Sequence, residues 1–158
     1  MKTNLFGVEQ KAPFMGQKVK AETVEWGTPQ KLFDKLNSIH NFTLDPCASD
    51  KNHKCDKYYT REINGLTKSW AGETVFCNPP YGRDIYDWAQ KCYYEWKENN
   101  ITIVMLIPAR TDTKWFHDFI YHKADIEFIK GRLAYESEFG NSLKAPFPSM
   151  IVTFKKRV

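Results

Sequence analysis

Apolar residues recur at the helical spacing of three and four positions in three segments of the chain. The first helix is expected to start at Thr28-Pro29, because threonine can cap a helix and proline suits its first position. The second helix is expected at 84–99, and the third from Thr111 or Asp112 to about His122. The three apolar stripes are Leu32, Phe33, Leu36 and Ile39; Ile85, Trp88, Ala89, Cys92 and Trp96; and Trp115, Phe116, Phe119 and Ile120.

Short apolar runs lie between and after these segments and predict the strands of a sheet. The run at 101–107 is continuously apolar and rich in β-branched residues, as expected of a central strand covered on both faces. Because strands and helices alternate, we expect an α/β fold whose last two strands form an antiparallel edge. The polar segment 49–56 is too short for a covering helix, which predicts an abbreviated sheet. The expected strands are 42–44, 57–61, 74–77, 101–107, 126–130 and 150–154.

Length and periodicity together predict a single domain at 26–158. The chain of 158 residues is of the size that one hydrophobic core serves. Residues 1–25 have neither helical nor strand period, so they are predicted to form an N-terminal arm.

Composition excludes some classes of protein and adds a weak indication of a partner. The net charge of +4 is compatible with a nucleic-acid partner. The longest apolar run, 101–109, is much shorter than the ~20 residues of a membrane helix, so no bilayer span is expected. The four cysteines form no CxxC pair and are expected to be reduced thiols in the cytoplasm. Cys47, His53 and Cys55 match no common zinc spacing, and we expect no metal site.

Candidate chemistry lies where two predicted strands end. Ligand sites of open α/β sheets lie beyond the carboxyl ends of the strands, and Asp45 and Asn78 both fall at such ends. Asn78 opens the sequence Asn-Pro-Pro-Tyr, in which two prolines cannot continue a strand ladder. A simple strand stop would explain the prolines. Alternatively, they fix the backbone so that the Asn78 amide oxygen and the Pro79 carbonyl form a rigid pair of acceptors for an NH2 group.

Paired acceptors would assist methylation of an amino group on an aromatic base. The lone pair of adenine N6 is delocalised into the ring, and two acceptors favour a pyramidal, nucleophilic nitrogen. They also stabilise the developing positive charge, an effect worth ~3 to 4 kcal/mol for a well-placed group. Tyr81 would offer a face for a base flipped out of the duplex, and such stacking returns ~1 to 3 kcal/mol.

The motif and its surroundings resemble the small phage-type DNA N6-adenine methyltransferases over about 25–154. The strings that carry the resemblance are Trp26-Gly27-Thr28-Pro29, Leu44-Asp45-Pro46-Cys47-Ala48, Gly65-Leu66, Phe76-Cys77-Asn78-Pro79-Pro80-Tyr81-Gly82, Pro108-Ala109-Arg110-Thr111-Asp112-Thr113 with Trp115-Phe116-His117, and Ala145-Pro146-Phe147-Pro148-Ser149-Met150. The resemblance implies a Rossmann-like fold that binds S-adenosylmethionine and methylates adenine N6 in a short DNA sequence. It also implies a phage or prophage protein acting in the cytoplasm of a bacterial host.

The resemblance further implies which residues contact S-adenosylmethionine. Asp45 would accept from the methionine ammonium, and the free N–H groups after Thr28-Pro29 suit the carboxylate. Glu62 would hold the ribose hydroxyls if 57–61 is the second strand. One departure is that Ala48-Ser49 stand where such folds usually have a glycine-rich loop. The implied cofactor-binding residues are Trp26, Thr28, Pro29, Asp45, Pro46, Cys47, Ala48, Glu62 and Asn78; the implied catalytic residues are Asn78, Pro79, Pro80 and Tyr81.

Basic residues in or next to the loops that follow the predicted strands are candidates for contacts with double-stranded DNA. These are Arg83, Arg110, Lys114, Lys130, Arg132 and Lys144. The polar, glycine-containing stretch 135–147 is read as a loop and as the candidate for target recognition.

Three alternatives remain open from the sequence. A protein-glutamine methyltransferase would need the same paired acceptors, and an N4-cytosine DNA methyltransferase would differ only in its base pocket. A non-catalytic nucleic-acid-binding domain would instead use Tyr81, Trp26 and Trp115 as stacking platforms. The recognised DNA sequence and the oligomeric state do not follow from the sequence.

Overall fold

The computed structural model describes residues 25–137 and 139–158, so the predicted arm lies outside the described residues except for Glu25. The strands of this described part are β1 (Leu44–Asp45), β2 (Lys57–Tyr58), β3 (Val75–Cys77), β4 (Ile103–Pro108), β5 (Asp125–Phe128), β6 (Ala134–Glu136), β7 (Ser142–Lys144) and β8 (Ser149–Phe154). Six of them form one sheet in the order β2-β1-β3-β4-β8-β5. Strands β1 to β4 run parallel, and β8 lies antiparallel between β4 and β5. This is the mixed α/β sheet that the sequence predicts.

Helices cover both faces of the sheet. They are α1 (Gln30–His40), α2 (Ile85–Asn99) and α3 (Lys114–Phe119), with a 3-10 turn at Gly65–Thr67. Alternate residues of β4 serve the two faces, as the strand period requires. Met105 packs with α2 and α3, whereas Leu106 packs with α1 and Tyr135 of β6. Both side chains are fully buried, and truncating such a residue to alanine typically costs about 2 to 5 kcal/mol.

The structure corrects the starts of two predicted helices. Thr28 does not cap α1: Pro29 occupies the cap position without a side-chain hydrogen bond. Helix α3 is capped by Thr113, whose hydroxyl accepts from the N–H of Phe116, and not by Thr111 or Asp112. It also ends before His122, whose backbone is left-handed at φ 62°. Propensity identified the helices, but which hydroxyl caps them depended on the path of the preceding loop.

Strand bounds differ from the predictions by at most three residues. The second strand pairs only over Lys57–Tyr58, because its neighbour β1 is itself two residues long. The antiparallel edge is confirmed, since β5 and β8 pair antiparallel, but β8 is inserted beside β4 and β5 forms the outer edge. The sheet is therefore short on the β2 side and longest at β4 and β8.

The reading of 135–147 as a loop is wrong. Within it, β7 pairs antiparallel with β6, which begins one residue earlier, and Tyr135 lies opposite Leu143. Tyr135 points inward and is fully buried, whereas its neighbours Ala134 and Glu136 are exposed. Gly140, at φ +80°, supplies the left-handed residue of the connection. The polar composition of the hairpin hides the single aromatic residue that anchors it.

One edge of the sheet brings together Asp45 and Asn78, which the sequence analysis singles out, and Ser149, which it does not. Parallel strands β1 and β3 end there, with Asp45 inside β1 and Asn78 directly after β3. The antiparallel β8 begins at the same edge, because Ser149 pairs with Pro108 at the end of β4. Asp45, Asn78 and Ser149 therefore lie on the side of the sheet where ligands of α/β proteins bind.

Candidate active site

The Asn78 carboxamide is hydrogen-bonded through both its nitrogen and its oxygen. Its Nδ2 donates to the Trp26 carbonyl oxygen at 2.6 Å and to the Thr28 Oγ1 at 3.0 Å. Its Oδ1 accepts from the Tyr81 hydroxyl at 2.7 Å. A reversed amide would set two oxygens, Oδ1 and the Trp26 carbonyl, against each other. The orientation of the amide is consequently fixed, and the Thr28 hydroxyl serves Asn78 rather than α1.

The backbone after β3 explains how Asn78 reaches this position. Pro79 and Pro80 lack N–H groups, so the ladder of β3 stops at Cys77. Pro79 is buried and Pro80 is exposed, and the chain then turns through Gly82 at φ +128° before α2 begins. A turn of this shape presents the Asn78 side chain and the Pro79 carbonyl at the end of a buried strand.

Tyr81 is directed inward by its hydroxyl group. Besides Asn78, the hydroxyl approaches the Leu106 carbonyl at 3.0 Å and the Tyr135 hydroxyl at 3.3 Å. Burial raises the pKa of Tyr81 well above its usual value, so the hydroxyl keeps its proton. The ring meets Tyr135 and Phe147 at right angles, with centroids 6.1 and 5.5 Å away. Neither contact is a parallel stack.

Asp45 is a buried carboxylate with few partners. It is 4% exposed, and its Oδ2 accepts from the Lys54 backbone N–H at 3.0 Å. Desolvation raises the pKa of Asp45 to about 6, although hydrogen bonds from the backbone of Lys54 and Cys47 act in the opposite direction. A carboxylate in this state gains from any cation that enters the site.

The segment at residues 26–28 connects the site to the hairpin. Gly27 exchanges two backbone hydrogen bonds with Glu136, and a Cβ on Gly27 would lie 2.6 Å from the Glu136 carbonyl oxygen. Trp26 meets the rings of Tyr135 and Phe147 edge-on, with centroids 5.5 and 5.2 Å away. The close approach requires glycine and fixes the Trp26 carbonyl that accepts from Asn78.

A cluster at the start of α1 was not anticipated from the sequence. The Glu136 carboxylate accepts from the Gln30 N–H at 2.8 Å, in place of a capping side chain. Lys54 donates to Gln30 Oε1 at 2.8 Å and lies 3.7 Å from Glu136. These three residues are distant in sequence, and no local pattern connects them.

Of the other residues that the resemblance implies for cofactor binding, some lie next to Asp45 and one does not. Pro46 is buried against Gly65, where a Cβ would meet the Pro46 carbonyl oxygen at 2.1 Å. Cys47 and Ala48 are half-buried, and the Ala48 N–H donates to the Tyr59 carbonyl at 2.9 Å. Glu62 is exposed beyond the end of β2. Asp45, Pro46, Cys47 and Ala48 thus form one compact turn, while Glu62 lies outside it.

The candidate DNA-binding cations are all exposed and follow the carboxyl ends of β3, β4 and β5 or lie on β7. They are Arg83, Arg110, Lys114, Lys130, Arg132 and Lys144. In the described part of the chain, none of the four ion pairs involves any of these six residues. Lys114 lies over the Tyr86 ring at 5.5 Å. The edge that carries Asn78 is therefore flanked by positive charge that no described carboxylate neutralises.

Tyr135 and Ser149 are further residues of the site that sequence reasoning missed. The Tyr135 hydroxyl lies 2.8 Å from the Ser149 Oγ, and both residues are almost completely buried. A signal was available, because Phe147 and Ser149 belong to the string Ala145–Met150 that carried the resemblance. Tyr135 was missed because the stretch 135–147 is interpreted as a loop from its composition.

Comparison with known proteins identifies related sequences. The family model described as DNA N-6-adenine-methyltransferase (Dam) matches residues 16–157. A DNA N-6-adenine-methyltransferase of Escherichia phage T1 is 34% identical over 130 residues, covering 78% of this chain and 53% of that protein. One of Haemophilus phage HP1 (strain HP1c1) is 29% identical over 148 residues, covering 87% of this chain and 82% of that protein. The chain thus spans about half the length of the T1 relative. No helix in the described residues has the length and hydrophobicity to cross a membrane.

Proposed function

The chain belongs to the DNA N-6-adenine-methyltransferase (Dam) family, and on that basis we propose that it methylates adenine N6 within a short DNA sequence. The methyl donor is S-adenosylmethionine, which supplies an electrophilic methyl group on sulfur. The observation that carries the proposal is the fixed Asn78 carboxamide, held by Trp26, Thr28 and Tyr81 at the edge of the sheet that also holds Asp45.

On the acceptor side, Asn78 Oδ1 and the Pro79 carbonyl receive the two hydrogens of the adenine amino group. Their negative ends face the nitrogen on which positive charge develops during transfer. The carboxamide needs no reorganisation, because both its nitrogen and its oxygen are already bonded within the protein. Tyr81 offers a ring face to the flipped adenine while its hydroxyl stays bonded inward.

On the cofactor side, Asp45 would accept from the methionine ammonium. Its burial and raised pKa support this role, because an ammonium partner would offset the cost of desolvating the carboxylate. The turn Pro46-Cys47-Ala48 and the segment from Trp26 to Pro29 would complete the cofactor site, and the exposed Glu62, four residues beyond the end of β2, would hold the ribose hydroxyls. The Gln30 N–H at the start of α1 already donates to the Glu136 carboxylate, so the cofactor carboxylate would use the following N–H groups of the first turn.

On the DNA side, the exposed cations contact phosphates. Arg83, Arg110 and Lys114 follow the ends of the two strands that deliver Asn78 and the Leu106 carbonyl. Their freedom from ion pairs within the described residues favours a polyanionic partner over a protein glutamine. By analogy with the phage relatives, the site of action is the bacterial host cell.

The binding-only alternative is disfavoured by the position of its proposed aromatic platforms. Trp115 is 6% exposed within the core and has no free face for a base. The Asn78 network also has no purpose in a domain that only stacks bases. An N4-cytosine acceptor differs only in the base pocket and is separated by experiment.

The test is to incubate the protein with genomic DNA and isotopically labelled S-adenosylmethionine, then to digest the DNA and analyse its nucleosides by mass spectrometry. Labelled N6-methyladenine supports the proposal, whereas N4-methylcytosine, or label recovered only in protein, contradicts it. Asn78→Ala is the control, because it removes the acceptor but leaves Asp45 and its turn in place. Mapping the modified adenines would then give the recognised sequence.

A further inference from the structure

Three buried hydroxyl groups form a chain from β8 to the Asn78 carboxamide. Ser149 Oγ lies 2.8 Å from the Tyr135 hydroxyl, which lies 3.3 Å from the Tyr81 hydroxyl, which donates to Asn78 Oδ1 at 2.7 Å. The chain crosses from β8 through β6 to the turn after β3. Ser149 is 1% exposed and Tyr135 is fully buried, so water does not compete for these bonds.

The hydrogen-bond distances indicate the direction of this chain. The Tyr81 hydroxyl has one proton and two carbonyl acceptors in reach, on Asn78 and on Leu106 at 3.0 Å. The Tyr135 hydroxyl oxygen is a third acceptor, at 3.3 Å, but the contact with Asn78 Oδ1 at 2.7 Å is the shortest of the three, so we place the Tyr81 proton there. The Tyr135 hydroxyl can then donate to the Tyr81 oxygen, and Ser149 can donate to the Tyr135 oxygen. Every hydroxyl in this arrangement donates towards Asn78.

The chain remains neutral as pH changes in the physiological range. Desolvation raises the pKa of Tyr135 and raises that of Tyr81 well above its usual value. The hydroxyls therefore orient groups by hydrogen bonding and do not act as bases.

We propose that Tyr135 and Ser149 are positioning residues for methyl transfer, which act on the Asn78 carboxamide through the Tyr81 hydroxyl. The inference rests on the proposed function. A carbonyl oxygen has two lone pairs, and the Tyr81 hydroxyl takes one of them at Asn78 Oδ1. The other lone pair is then held in a fixed direction for the adenine amino group. Tyr135 prevents the Tyr81 proton from turning away, because it presents its own proton to the Tyr81 oxygen.

The test is the single-turnover rate of methyl transfer to duplex DNA, measured for a cycle of Tyr135→Phe, Tyr81→Phe and the double variant. Phenylalanine keeps each ring and removes only the hydroxyl. Losing one such hydrogen bond should slow transfer about three- to tenfold, while the Kd values for S-adenosylmethionine and DNA stay near those of the wild type. In the Tyr81→Phe background, Tyr135→Phe should have no further effect, since its action passes through Tyr81. Ser149→Ala should slow transfer less than Tyr135→Phe.

Tyr93→Phe is the matched control, because Tyr93 packs against Phe119 and Phe154 on the opposite face of the sheet. Its transfer rate should equal that of the wild type. The inference is overturned if Tyr135→Phe transfers methyl groups at full rate, or if its effect is undiminished in the Tyr81→Phe background. A wild-type protein that leaves adenine unmethylated overturns the proposed function and this inference with it. An active wild type with either of the first two results overturns the inference alone.

Discussion

Asn78 and Asp45 lie at the ends of two neighbouring parallel strands, yet they differ in charge and in how well their hydrogen-bonding groups are satisfied. The Asn78 carboxamide is neutral and has protein partners for both its nitrogen and its oxygen. The Asp45 carboxylate carries charge into a buried position, with backbone N–H partners that only partly compensate, so its pKa rises to about 6. A neutral amide whose nitrogen and oxygen both have protein partners is preorganised and costs little. A buried carboxylate whose partners do not offset its desolvation is costly and lowers the free energy of unfolding.

The difference shows which group awaits a ligand. Asn78 can act on a substrate without changing its own bonding, as expected of a group that stabilises a transition state. Asp45 is improved by a bound ammonium, as expected of a group that binds a cofactor. The comparison therefore separates turnover from binding, and each half of it can be tested by substitution.

The largest effect is expected for Asn78→Ala. Removal of the carboxamide should lower kcat about 10²- to 10³-fold, because an acceptor aimed at developing charge is lost. The affinity for S-adenosylmethionine should stay within about twofold of the wild type, since Asp45 and its turn are unchanged. Single-turnover assays and calorimetry measure the two quantities. Comparable losses in both would show that Asn78 and Asp45 do not divide the work.

Asp45→Ala should give the converse result. A charge-assisted contact is worth about 1.5 to 3 kcal/mol, so the Kd for S-adenosylmethionine should rise about ten- to hundredfold. Binding to the wild type should also weaken as pH falls below about 6, because protonation of Asp45 competes with the ammonium. Calorimetry from pH 5 to 8, with Asn78→Ala as the comparison variant, measures both effects. An unchanged Kd in Asp45→Ala would contradict the assigned role.

The sequence predicted the two groups of this comparison more readily than their surroundings. The helix expected at 84–99 is observed at Ile85–Asn99, and the strands before Asp45 and Asn78 are observed near their predicted places. These features depend on local periodicity, on proline, and on the rule that sites lie at strand ends. Such rules act over a few residues and therefore leave a trace in a single sequence.

What the sequence did not predict depends on contacts between distant residues. Thr28 was assigned to the helix cap and the cofactor, but its hydroxyl accepts from Asn78, fifty residues further along the chain. Tyr135, whose hydroxyl contacts the Tyr81 hydroxyl, lies on a hairpin within the stretch that the sequence analysis interprets as a loop. Glu136 replaces the side-chain cap of α1 from 106 residues away. No periodicity encodes such pairs, because they are set by how the elements pack.

A third test concerns stability and uses Asp45→Asn, which keeps an acceptor for the Lys54 N–H. The folded-state pKa of Asp45, about 6, lies above its ordinary value of 3.8. Protonated Asp45 therefore adds to the free energy of unfolding of the wild type below pH 3.8, and this contribution is lost as pH rises through about 6. At pH 7 the variant should be more stable without cofactor, by up to about 3 kcal/mol. The difference should shrink towards pH 4 in urea unfolding. A variant less stable than the wild type at pH 7 would show that desolvation does not dominate at Asp45.

The smallest effect is expected for Thr28→Val. This variant tests whether Thr28 positions Asn78 or contacts the cofactor. Valine has nearly the shape of threonine and fits the buried position, but Asn78 Nδ2 then keeps only the Trp26 carbonyl as a partner. Loss of one neutral hydrogen bond corresponds to about 1 kcal/mol, and kcat should fall about fivefold. If Thr28 positions Asn78, the KM for S-adenosylmethionine stays constant; if it contacts the cofactor, the KM rises and kcat is preserved. Thr153→Val makes the same change near the end of β8, at the edge of the sheet opposite Asn78, and should alter neither kcat nor KM. A rise in KM alone would remove Thr28 from the acceptor side and leave Trp26 as the sole support of the Asn78 nitrogen.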